Sequence, residues 1–280
     1  MSNYKIQTLD VGCIETFPAD FIFDGAYKSG EFIYIPLCFT LFRGEGRNIL
    51  FDCGTNFQTP ERVSFFEATY GSNGHGADEV LATVGLKPGD IDAIVLSHCH
   101  WDHLSGLVYF PEATVYIQKE EYNGWAEVAA NPSYAPVFSM QMVFQDLKVL
   151  EQREKAGKLI YLDGEVDDLF PGIHVRVSKL AHSFAHQMII ADTDNERFVV
   201  VGDVCNRQEN LLGTKERPGY MPNVKFAVGS VLNTLRDYDR ILDWVKGDVS
   251  KVIMTHDEQR KECYPCTKSE LGLNIFDIYN

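Results

Sequence analysis

Long apolar runs are missing from this 280-residue chain, and so is any excess of positive charge. No run approaches the ~18 consecutive apolar residues that a transmembrane helix needs. The first residues, Met-Ser-Asn-Tyr-Lys-Ile-Gln, do not resemble a signal peptide. Lys and Arg number 25 against 40 Asp and Glu, which gives a net charge of −15. Because nucleic acids and anionic membranes are bound through basic surfaces, we expect neither as a partner.

Cysteine is present in an odd number, seven. An odd number without a signal peptide is typical of a reduced, cytoplasmic protein, which is our expectation here. Cys263 and Cys266 have Cys-x-x-Cys spacing, but a second pair and the βαβ context of a redox motif are both lacking. We therefore interpret this pair as structural.

No stretch rich in Gly, Ser or Pro divides the chain, so we predict a single domain over residues 1–280. Hydrophobic residues make up 45% and charged residues 23%, as in globular proteins with a large core. Strand and helix patterns alternate in two αβ halves, about 1–118 and 158–280, with a helical insert at 119–157. This alternation predicts an α/β fold, a four-layer αββα sandwich around one shared site. The predicted strands are 4–12, 32–43, 49–52, 91–97, 113–118, 158–162, 173–178, 187–192, 197–202 and 252–254, and the predicted helices are 77–84, one that begins near 119, and 231–245.

The segment Ser97-His-Cys-His-Trp-Asp-His103 follows a predicted buried strand and holds three histidines and one aspartate. Imidazole and carboxylate groups together suit zinc or a similar divalent transition metal. Four such groups would crowd one tetrahedral ion. We therefore interpret them as part of a two-metal site, with His98 and His100 facing one ion and Asp102 and His103 the other. An incidental polar loop is the alternative.

A two-metal site needs more ligands than this segment supplies. His182, Asp203 and His256 each lie just past or at the end of a predicted strand. Functional clefts of α/β sheets form at the carboxyl ends of strands, so these three residues are the candidates for the missing ligands.

Taken together, these motifs resemble the metallo-β-lactamase superfamily, and within it the N-acyl-homoserine lactone lactonases and related lactonases, over nearly the full length. The His-x-His-x-Asp-His pattern at 98–103 carries most of the resemblance. Phe51-Asp-Cys-Gly54 resembles the early Asp-x-Gly element, and Val201-Gly-Asp203 resembles the bridging-aspartate motif. Thr255-His-Asp-Glu-Gln-Arg260 resembles the lactonase form of the last histidine motif, with Thr in place of Gly.

The resemblance implies a ligand set and two divalent metal ions per chain. Carried over by position, the ligands of one ion are His98, His100 and His182, those of the other are Asp102, His103 and His256, and Asp203 bridges the two. Asp52 and His186 are then expected to orient ligands rather than to bind metal. Zinc is the expected metal, and manganese, iron and cobalt fit the same donors.

Two positions depart from the family pattern. The third element reads Lys179-Leu-Ala-His182, where the family usually has Thr-Pro-Gly-His. Lactonases also carry a tyrosine three residues after the bridging aspartate, and here that residue is Asn206. An amide can still donate a hydrogen bond. Tyr27 and Tyr220 are alternative sources of the missing hydroxyl.

The predicted function is a metal-dependent hydrolase that opens a lactone or a similar cyclic ester. The resemblance implies N-acyl-homoserine lactones, and hence quorum quenching, as the first substrate to consider. A hydroxide held between the metal ions would attack the carbonyl carbon. Asp102 would carry a proton to the leaving oxygen, and Asn206 would donate a hydrogen bond of the oxyanion-hole type.

Two aromatic segments, 17–35 and 125–156, are candidates for apolar walls around a hydrophobic small-molecule substrate. Plain core or a dimer face is the alternative for both, so the chain could be a monomer or a homodimer. The candidate pocket residues are Phe23, Tyr27, Trp101, Phe138, Met140, Phe144, Phe184 and Tyr220.

Three other functions compete with lactone hydrolysis. The first is another hydrolase of the superfamily, acting on a thioester, an amide or a β-lactam through a different pocket. The second is a di-iron oxidoreductase, but such proteins carry an acidic residue where His100 stands, and a flavin domain that this chain lacks. The third is a member that only binds its ligand, which the seven filled ligand positions disfavour.

Overall fold

The computed structural model of the protein describes residues 2–23, 27–57, 72–223, 225 and 227–280. The strands are β1 (Tyr4–Pro18), β2 (Phe32–Gly44), β3 (Arg47–Phe51), β4 (Ser72–Gly74), β5 (Ala93–Val95), β6 (Thr114–Gln118), β7 (Leu159–Leu162), β8 (Val166–Phe170), β9 (Ile173–Lys179), β10 (Ala185–Asp192), β11 (Arg197–Gly202), β12 (Val252–Met254), β13 (Cys266–Lys268) and β14 (Asn274–Tyr279). The α-helices are α1 (Ala77–Ala82), α2 (Trp101–Leu104), α3 (Lys119–Ala130), α4 (Leu147–Lys155), α5 (Gln208–Leu212), α6 (Val231–Trp244) and α7 (Arg260–Cys263). Short 3₁₀ helices lie at Ala19–Phe21, Pro88–Asp90, Ser105–Tyr109, Ala135–Phe138, Phe144–Asp146 and Val249–Lys251.

Within these described ranges the strands form two sheets. The first has the order β13-β14-β1-β2-β3-β5-β6-β7, with β4 paired to β1, and the second has the order β12-β11-β10-β9-β8. Strands β3, β5, β6 and β7 run parallel. Phe51, the last residue of β3, is paired with Val95, the last residue of β5. The carboxyl ends of these two strands therefore lie side by side, just before Asp52 and the histidine-rich segment.

Apolar side chains on both faces of each sheet determine the layers. Ile6 and Val95 of the first sheet pack with Ile189 and Val200 of the second in one buried cluster. Helix α3 covers the outer face of the first sheet, and helix α6 covers that of the second. Each fully buried Ile or Val contributes roughly 1.5–3 kcal/mol, so these faces hold the layers together. The four-layer αββα sandwich predicted from the sequence is confirmed.

The predicted strand 91–97 is shorter than expected, because only Ala93–Val95 is paired as a strand. Beyond it, the amide N–H of Ser97 donates to Asp52 Oδ1 at 2.7 Å instead of to a neighbouring strand. The chain leaves the sheet at this point because a side chain has taken over the hydrogen bond.

The predicted second half, 158–280, does not match one sheet. Strand β7 and the hairpin of β13 and β14 belong to the first sheet. Gln7 of β1 pairs with Asp277, and Leu9 pairs with Ile275, so the end of the described chain lies beside its start. The two sheets therefore do not divide the chain at 118 and 158. None of the described helices is both long and apolar enough to span a bilayer.

Candidate metal centre

The histidine-rich segment changes backbone conformation in its middle, and this change separates its side chains. His98 and His100 precede the helix outside any strand, and the backbone of His100 is extended. Asp102 and His103 lie in the short helix α2, whose N-cap is His100. The side chains of His98 and His100 therefore belong to one group of potential ligands, and those of Asp102 and His103 belong to another.

The first group of potential ligands consists of His98, His100, His182 and Asp203. One nitrogen or oxygen atom from each lies within 4.8 Å of the others. His182 follows β9, and its Nε2 lies 3.1 Å from His100 Nδ1. Two ring nitrogens this close, both buried, face a common point.

The second group consists of Asp102, His103 and His256, again with one atom from each within 4.8 Å of the others. His256 follows β12 of the second sheet, and its Nε2 lies 3.3 Å from Asp102 Oδ2. His103 Nε2 lies 3.5 Å from the same oxygen. Both groups therefore draw side chains from both sheets.

Asp203 lies between the two groups at the end of β11. Its Oδ1 is 3.2 Å from His103 Nε2 and 3.2 Å from His256 Nε2. Its Oδ2 faces the other way, 3.6 Å from His182 Nε2. One carboxylate thus presents one oxygen to each group, which is the geometry of a bridging ligand.

Asp52 orients the histidines from behind. Its backbone is left-handed, with φ +63°, and its carboxylate accepts hydrogen bonds from Ser97 Oγ at 2.9 Å and His103 Nδ1 at 2.8 Å. Since Ser97 Oγ donates to Asp52, it accepts from His98 Nδ1 at 2.8 Å. His256 Nδ1 donates to the carbonyl of Pro36, also at 2.8 Å. These bonds leave Nε2 of all three histidines to face the centre.

His186 belongs to neither group. Its Nε2 accepts a hydrogen bond from the backbone N–H of Asp203 at 3.2 Å, and its ring stacks on that of His98 at 4.7 Å. Gly202 makes this contact possible, because a Cβ there would lie 2.7 Å from His186 Nε2. His186 is therefore placed to hold the backbone of Asp203.

The electrostatics favour neutral imidazoles in the first group and ionised carboxylates. Burial lowers the pKa of His182 to about 4. Burial and the neighbouring imidazoles also lower the pKa of His98 and His100 well below 6.5. Burial alone would raise the pKa of Asp203, but His256 and His103 outweigh it and lower that pKa well below 3.8. Neutral imidazole and ionised carboxylate are the forms that bind metal ions.

The donors in this centre fit divalent metal ions. Nε2 of His98 is buried without a hydrogen-bond partner among the described residues. A buried polar atom left unpaired costs about 1–3 kcal/mol. Nitrogen and oxygen atoms that converge in this way are satisfied together by a metal ion of the zinc type.

A cleft with about 490 Å³ of empty space, including its mouth, opens above the two groups. Its floor holds His100, Asp102, His182, Asp203 and His256, and its apolar wall consists of Ile14, Phe17, Phe21, Ile22 and Ile35. Trp101, Met140, Gln141, Asn206 and Lys225 complete the lining. The wall falls largely within the aromatic segment 17–35.

Two of the eight predicted pocket residues, Trp101 and Met140, line this cleft. The other six lie elsewhere, because each packs into the core or against another side chain. Phe138 and Phe184 pack on Trp125, Phe23 and Tyr27 pack on each other, Phe144 packs against the core, and Tyr220 donates a hydrogen bond to Asp239. Neither Tyr27 nor Tyr220 lines the cleft, whereas Asn206 does.

Sequence reasoning missed Ile14 and Lys225. Ile14 lies in β1, which continues to Pro18 although the alternating pattern predicts an end at residue 12. Its apolar side chain near a predicted strand end was a usable signal. Lys225 had no local signal, because its Nζ reaches the cleft by lying over the ring of Phe21, 5.0 Å from the centroid.

Comparison with known proteins identifies the family of this chain. The family model described as "Metallo-beta-lactamase superfamily" matches residues 39–256. The chain belongs to this superfamily. An N-acyl homoserine lactonase of Bacillus cereus is 25% identical to it over 244 residues, which cover 84% of this chain and 86% of the relative.

Solved structures share the fold. A mutant of the AiiA protein of B. thuringiensis, with N-decanoyl-L-homoserine bound at its active site, matches with a TM-score of 0.68 at 19% identity, over 94% of this chain and 96% of that one. AidC, described as a dizinc quorum-quenching lactonase, matches with a TM-score of 0.64 at 17% identity, over 97% and 96%.

Proposed function

We propose that this protein opens lactones or similar cyclic esters, using two divalent metal ions held by the seven residues of the two groups. The observation that carries the proposal is the placement of Asp203, whose two carboxylate oxygens face different histidine groups. One ion would be held by His98, His100 and His182, and the other by Asp102, His103 and His256.

The metal ions, with zinc as the first candidate, would lower the pKa of a bound water and polarise the substrate carbonyl. The remaining roles fall to the chain itself. His186 and Asp52 hold Asp203 and His103 in place. The Asp102 carboxylate, on the cleft floor, would carry a proton to the leaving oxygen of the opened ring. Asn206 would donate a hydrogen bond to the carbonyl oxygen.

The lining of the cleft supports a substrate with an apolar part. Ile14, Phe17 and Phe21 form one continuous wall beside the metal-binding floor. An acyl chain would lie against such a wall, so N-acyl-homoserine lactones are the first substrates to test, as the names of the relatives also suggest. Lys225 adds an ammonium group to the lining, so a substrate that carries a carboxylate belongs in the same test.

Metal analysis and a substrate panel test the proposal. The purified protein is expected to hold about two transition-metal ions per chain. The panel contains N-acyl-homoserine lactones of several chain lengths, simple γ- and δ-lactones, a lactone with a free carboxylate, a thioester, an amide and a β-lactam. Preferential turnover of one lactone class is the expected result. Preference for the thioester, the amide or the β-lactam would overturn the lactone assignment within the same superfamily.

Asp203→Ala is the decisive variant. It should lower the metal content below two ions and reduce lactone turnover by several orders of magnitude. Asp192→Ala is the matched control, because Asp192 is ion-paired with Arg197 at 2.6 Å on the surface of the second sheet, and both readouts should stay at the wild-type level. Full activity in Asp203→Ala would rule out the two-metal scheme.

A further inference from the structure

Asn206 lines the cleft, so the orientation of its side-chain amide determines whether the NH₂ group or the oxygen faces a substrate. Its backbone N–H donates to Asn210 Oδ1 at 3.1 Å, and Asn210 Nδ2 donates in turn to the carbonyl of Ile22, in the cleft wall, at 2.7 Å. The side-chain Oδ1 of Asn206 accepts a hydrogen bond from Asn223 Nδ2. Both the backbone and the side chain of Asn206 are therefore held by buried asparagines.

The orientation of Asn223 is determined by a group that can only accept. Its Nδ2 lies 2.6 Å from the backbone carbonyl of Asp203, so the nitrogen and not the oxygen of this amide must face that carbonyl. The hydroxyl of Tyr238 donates to Asn223 Oδ1 at 3.1 Å, and its oxygen accepts from the backbone N–H of Asn223 at 3.4 Å. Every polar atom of the Asn223 side chain therefore has a partner of the right kind.

The orientation of the Asn223 amide in turn determines that of the Asn206 amide. Since Asn223 Nδ2 donates both to Asp203 and to Asn206, the oxygen of the Asn206 amide is the atom turned toward Asn223. The Asn206 NH₂ group is then the polar group left for the cleft, which Asn206 lines. A flipped amide would set NH₂ against NH₂ and lose the bond.

We propose that Asn223, anchored by Tyr238, is a positioning residue that fixes Asn206 as a hydrogen-bond donor aimed at the substrate carbonyl. The proposal rests on the hydrolytic function proposed above. Asn223 also holds the carbonyl of Asp203, so one side chain sets the distance between the bridging carboxylate and the donor. A tyrosine at position 206 would need no such orientation, since its hydroxyl rotates to suit.

A double-mutant cycle tests whether Asn223 acts through Asn206. Asn206→Ala removes the donor and should lower kcat by about 10²–10³-fold with little change in KM, as expected for a bond made mainly in the transition state. Asn223→Ala should lower kcat in wild-type protein, because the Asn206 amide is released. In the Asn206→Ala background the same substitution should lower kcat at least tenfold less, because only the hydrogen bond to the Asp203 carbonyl is then lost. If Asn223→Ala lowers kcat by the same factor in wild-type protein and in Asn206→Ala, the proposal is overturned.

Tyr238→Phe gives a milder variant that keeps the ring in the core. It removes only the hydroxyl and should lower kcat less than Asn223→Ala does, again without effect in the Asn206→Ala background. Tyr109→Phe is the matched control, since it removes a buried hydroxyl that accepts one hydrogen bond, from the Phe57 N–H at 3.0 Å, away from the cleft. An equal loss of kcat in the Tyr109 and Tyr238 variants would show that both act through the stability of the fold, which would contradict a specific role for Tyr238.

Side-chain amide NMR provides a readout independent of activity. With selective ¹⁵N-asparagine labelling, the NH₂ signals of Asn206 and Asn223 are assigned from the two alanine variants. Tyr238→Phe should shift both pairs of NH₂ signals. A shift of the Asn223 signals alone would contradict the proposed hydrogen-bond relay, which runs from Tyr238 through Asn223 to Asn206. If wild-type protein turns over no substrate of the panel, the proposed function fails, while the NMR result still decides the hydrogen-bond relay.

Discussion

Glu121 shows how much of the metal centre depends on a residue that touches neither ligand group. This buried carboxylate accepts hydrogen bonds from the N–H of Cys99 at 3.0 Å and of Ala185 at 2.8 Å, and from the side chains of Trp125 and Ser183. Cys99 lies between His98 and His100, and Ser183 follows His182. One carboxylate therefore ties together the two loops that supply the three histidines of the first group, and the four donors oppose the rise in its pKa that burial causes.

Glu121→Gln should weaken the first metal site while the chain stays folded. The new NH₂ group would face N–H and O–H donors, which costs about 1–3 kcal/mol in the free energy of unfolding. Metal affinity should fall by about 10–100-fold, as is typical when an outer partner of a ligand is lost. Chelator competition measures the affinity, and urea denaturation measures the stability.

Glu120→Gln is the control for this substitution. Glu120 precedes Glu121 on α3 but is exposed and paired with Lys179 at 2.6 Å, so its loss should change stability by less than about 1 kcal/mol and leave metal affinity unchanged. Wild-type metal affinity in the Glu121 variant would contradict the role assigned to the carboxylate.

Four of the seven potential ligands could be found from the sequence because they cluster in one short segment, and the other three because each lies at the end of an apolar strand. Their supports could not be found in this way. Asn223 meets Asn206 seventeen positions away, and Tyr238 meets Asn223 fifteen positions away. Those contacts come from the packing of α6 on the second sheet, which no local pattern records.

At the scale of elements, the contact between α3 and the loop after β9 requires a glycine within a helix. A Cβ at Gly124 would lie 2.2 Å from Cγ of Phe184, two residues after His182. The ring of Phe184 also packs on Trp125 with 5.4 Å between centroids. Helix and loop approach this closely only because position 124 has no side chain.

Gly124→Ala should therefore destabilise the protein and reduce activity. In most helices the same substitution is stabilising, because alanine is favoured over glycine by about 1 kcal/mol. The added methyl would displace Phe184 and, with it, the loop that carries His182. Thermal denaturation and turnover per bound metal are the measurements.

Gly89→Ala is the comparison, because a Cβ there meets nothing within 4 Å and the backbone is not left-handed. It should leave activity unchanged and change stability by no more than about 1 kcal/mol, in the stabilising direction. A more stable, fully active Gly124 variant would show that the loop has room to move.

Most elements of the fold were predictable because their apolar patterns are strong, as in β11, where the predicted and observed bounds coincide at 197–202. The C-terminal hairpin was not predicted. All three residues of β13 are exposed, so that strand has no buried face to reveal it, whereas β14 does alternate between buried and half-buried residues. The position of β14 beside β1 follows from pairing between residues that are far apart along the chain.

At the scale of the whole molecule, the metal-free protein buries histidines of two kinds. Burial lowers the pKa of His98, His100, His182 and His186. Burial also acts on His103 and His256, but Asp102 and Asp203 outweigh it and raise the pKa of His103 well above 6.5 and that of His256 to about 10. The two kinds make opposite contributions to stability as pH changes.

The histidines by themselves would make the metal-free protein most stable near pH 6.5, the pKa of an unfolded histidine. Below it, the unfolded chain gains protons on the four lowered histidines that the folded chain does not bind, so stability falls toward pH 4. Above it, the folded chain holds protons on His103 and His256 that the unfolded chain has lost, so stability falls toward pH 10. Urea midpoints at pH 5, 6.5 and 8.5 measure this.

Metal-free His256→Asn is the control for the alkaline side, since it removes one of the two raised groups and should flatten the fall above pH 6.5. Restoring the metal should abolish that fall, because metal binding requires deprotonated ligands. A metal-free midpoint that is higher at pH 8.5 than at 6.5 would contradict the assignment.

The pairing of β14 with β1 has a consequence for the protein while it is being made. Synthesis delivers β1 before β14, so the stretch of β1 at residues 6–9 has one open edge until β14 emerges. A bare edge of this kind is a template for pairing with another copy. The C-terminal hairpin thus works as a cap that the nascent chain lacks, and a chain cut short before residue 274 would keep its metal ligands and yet expose an open, aggregation-prone sheet edge.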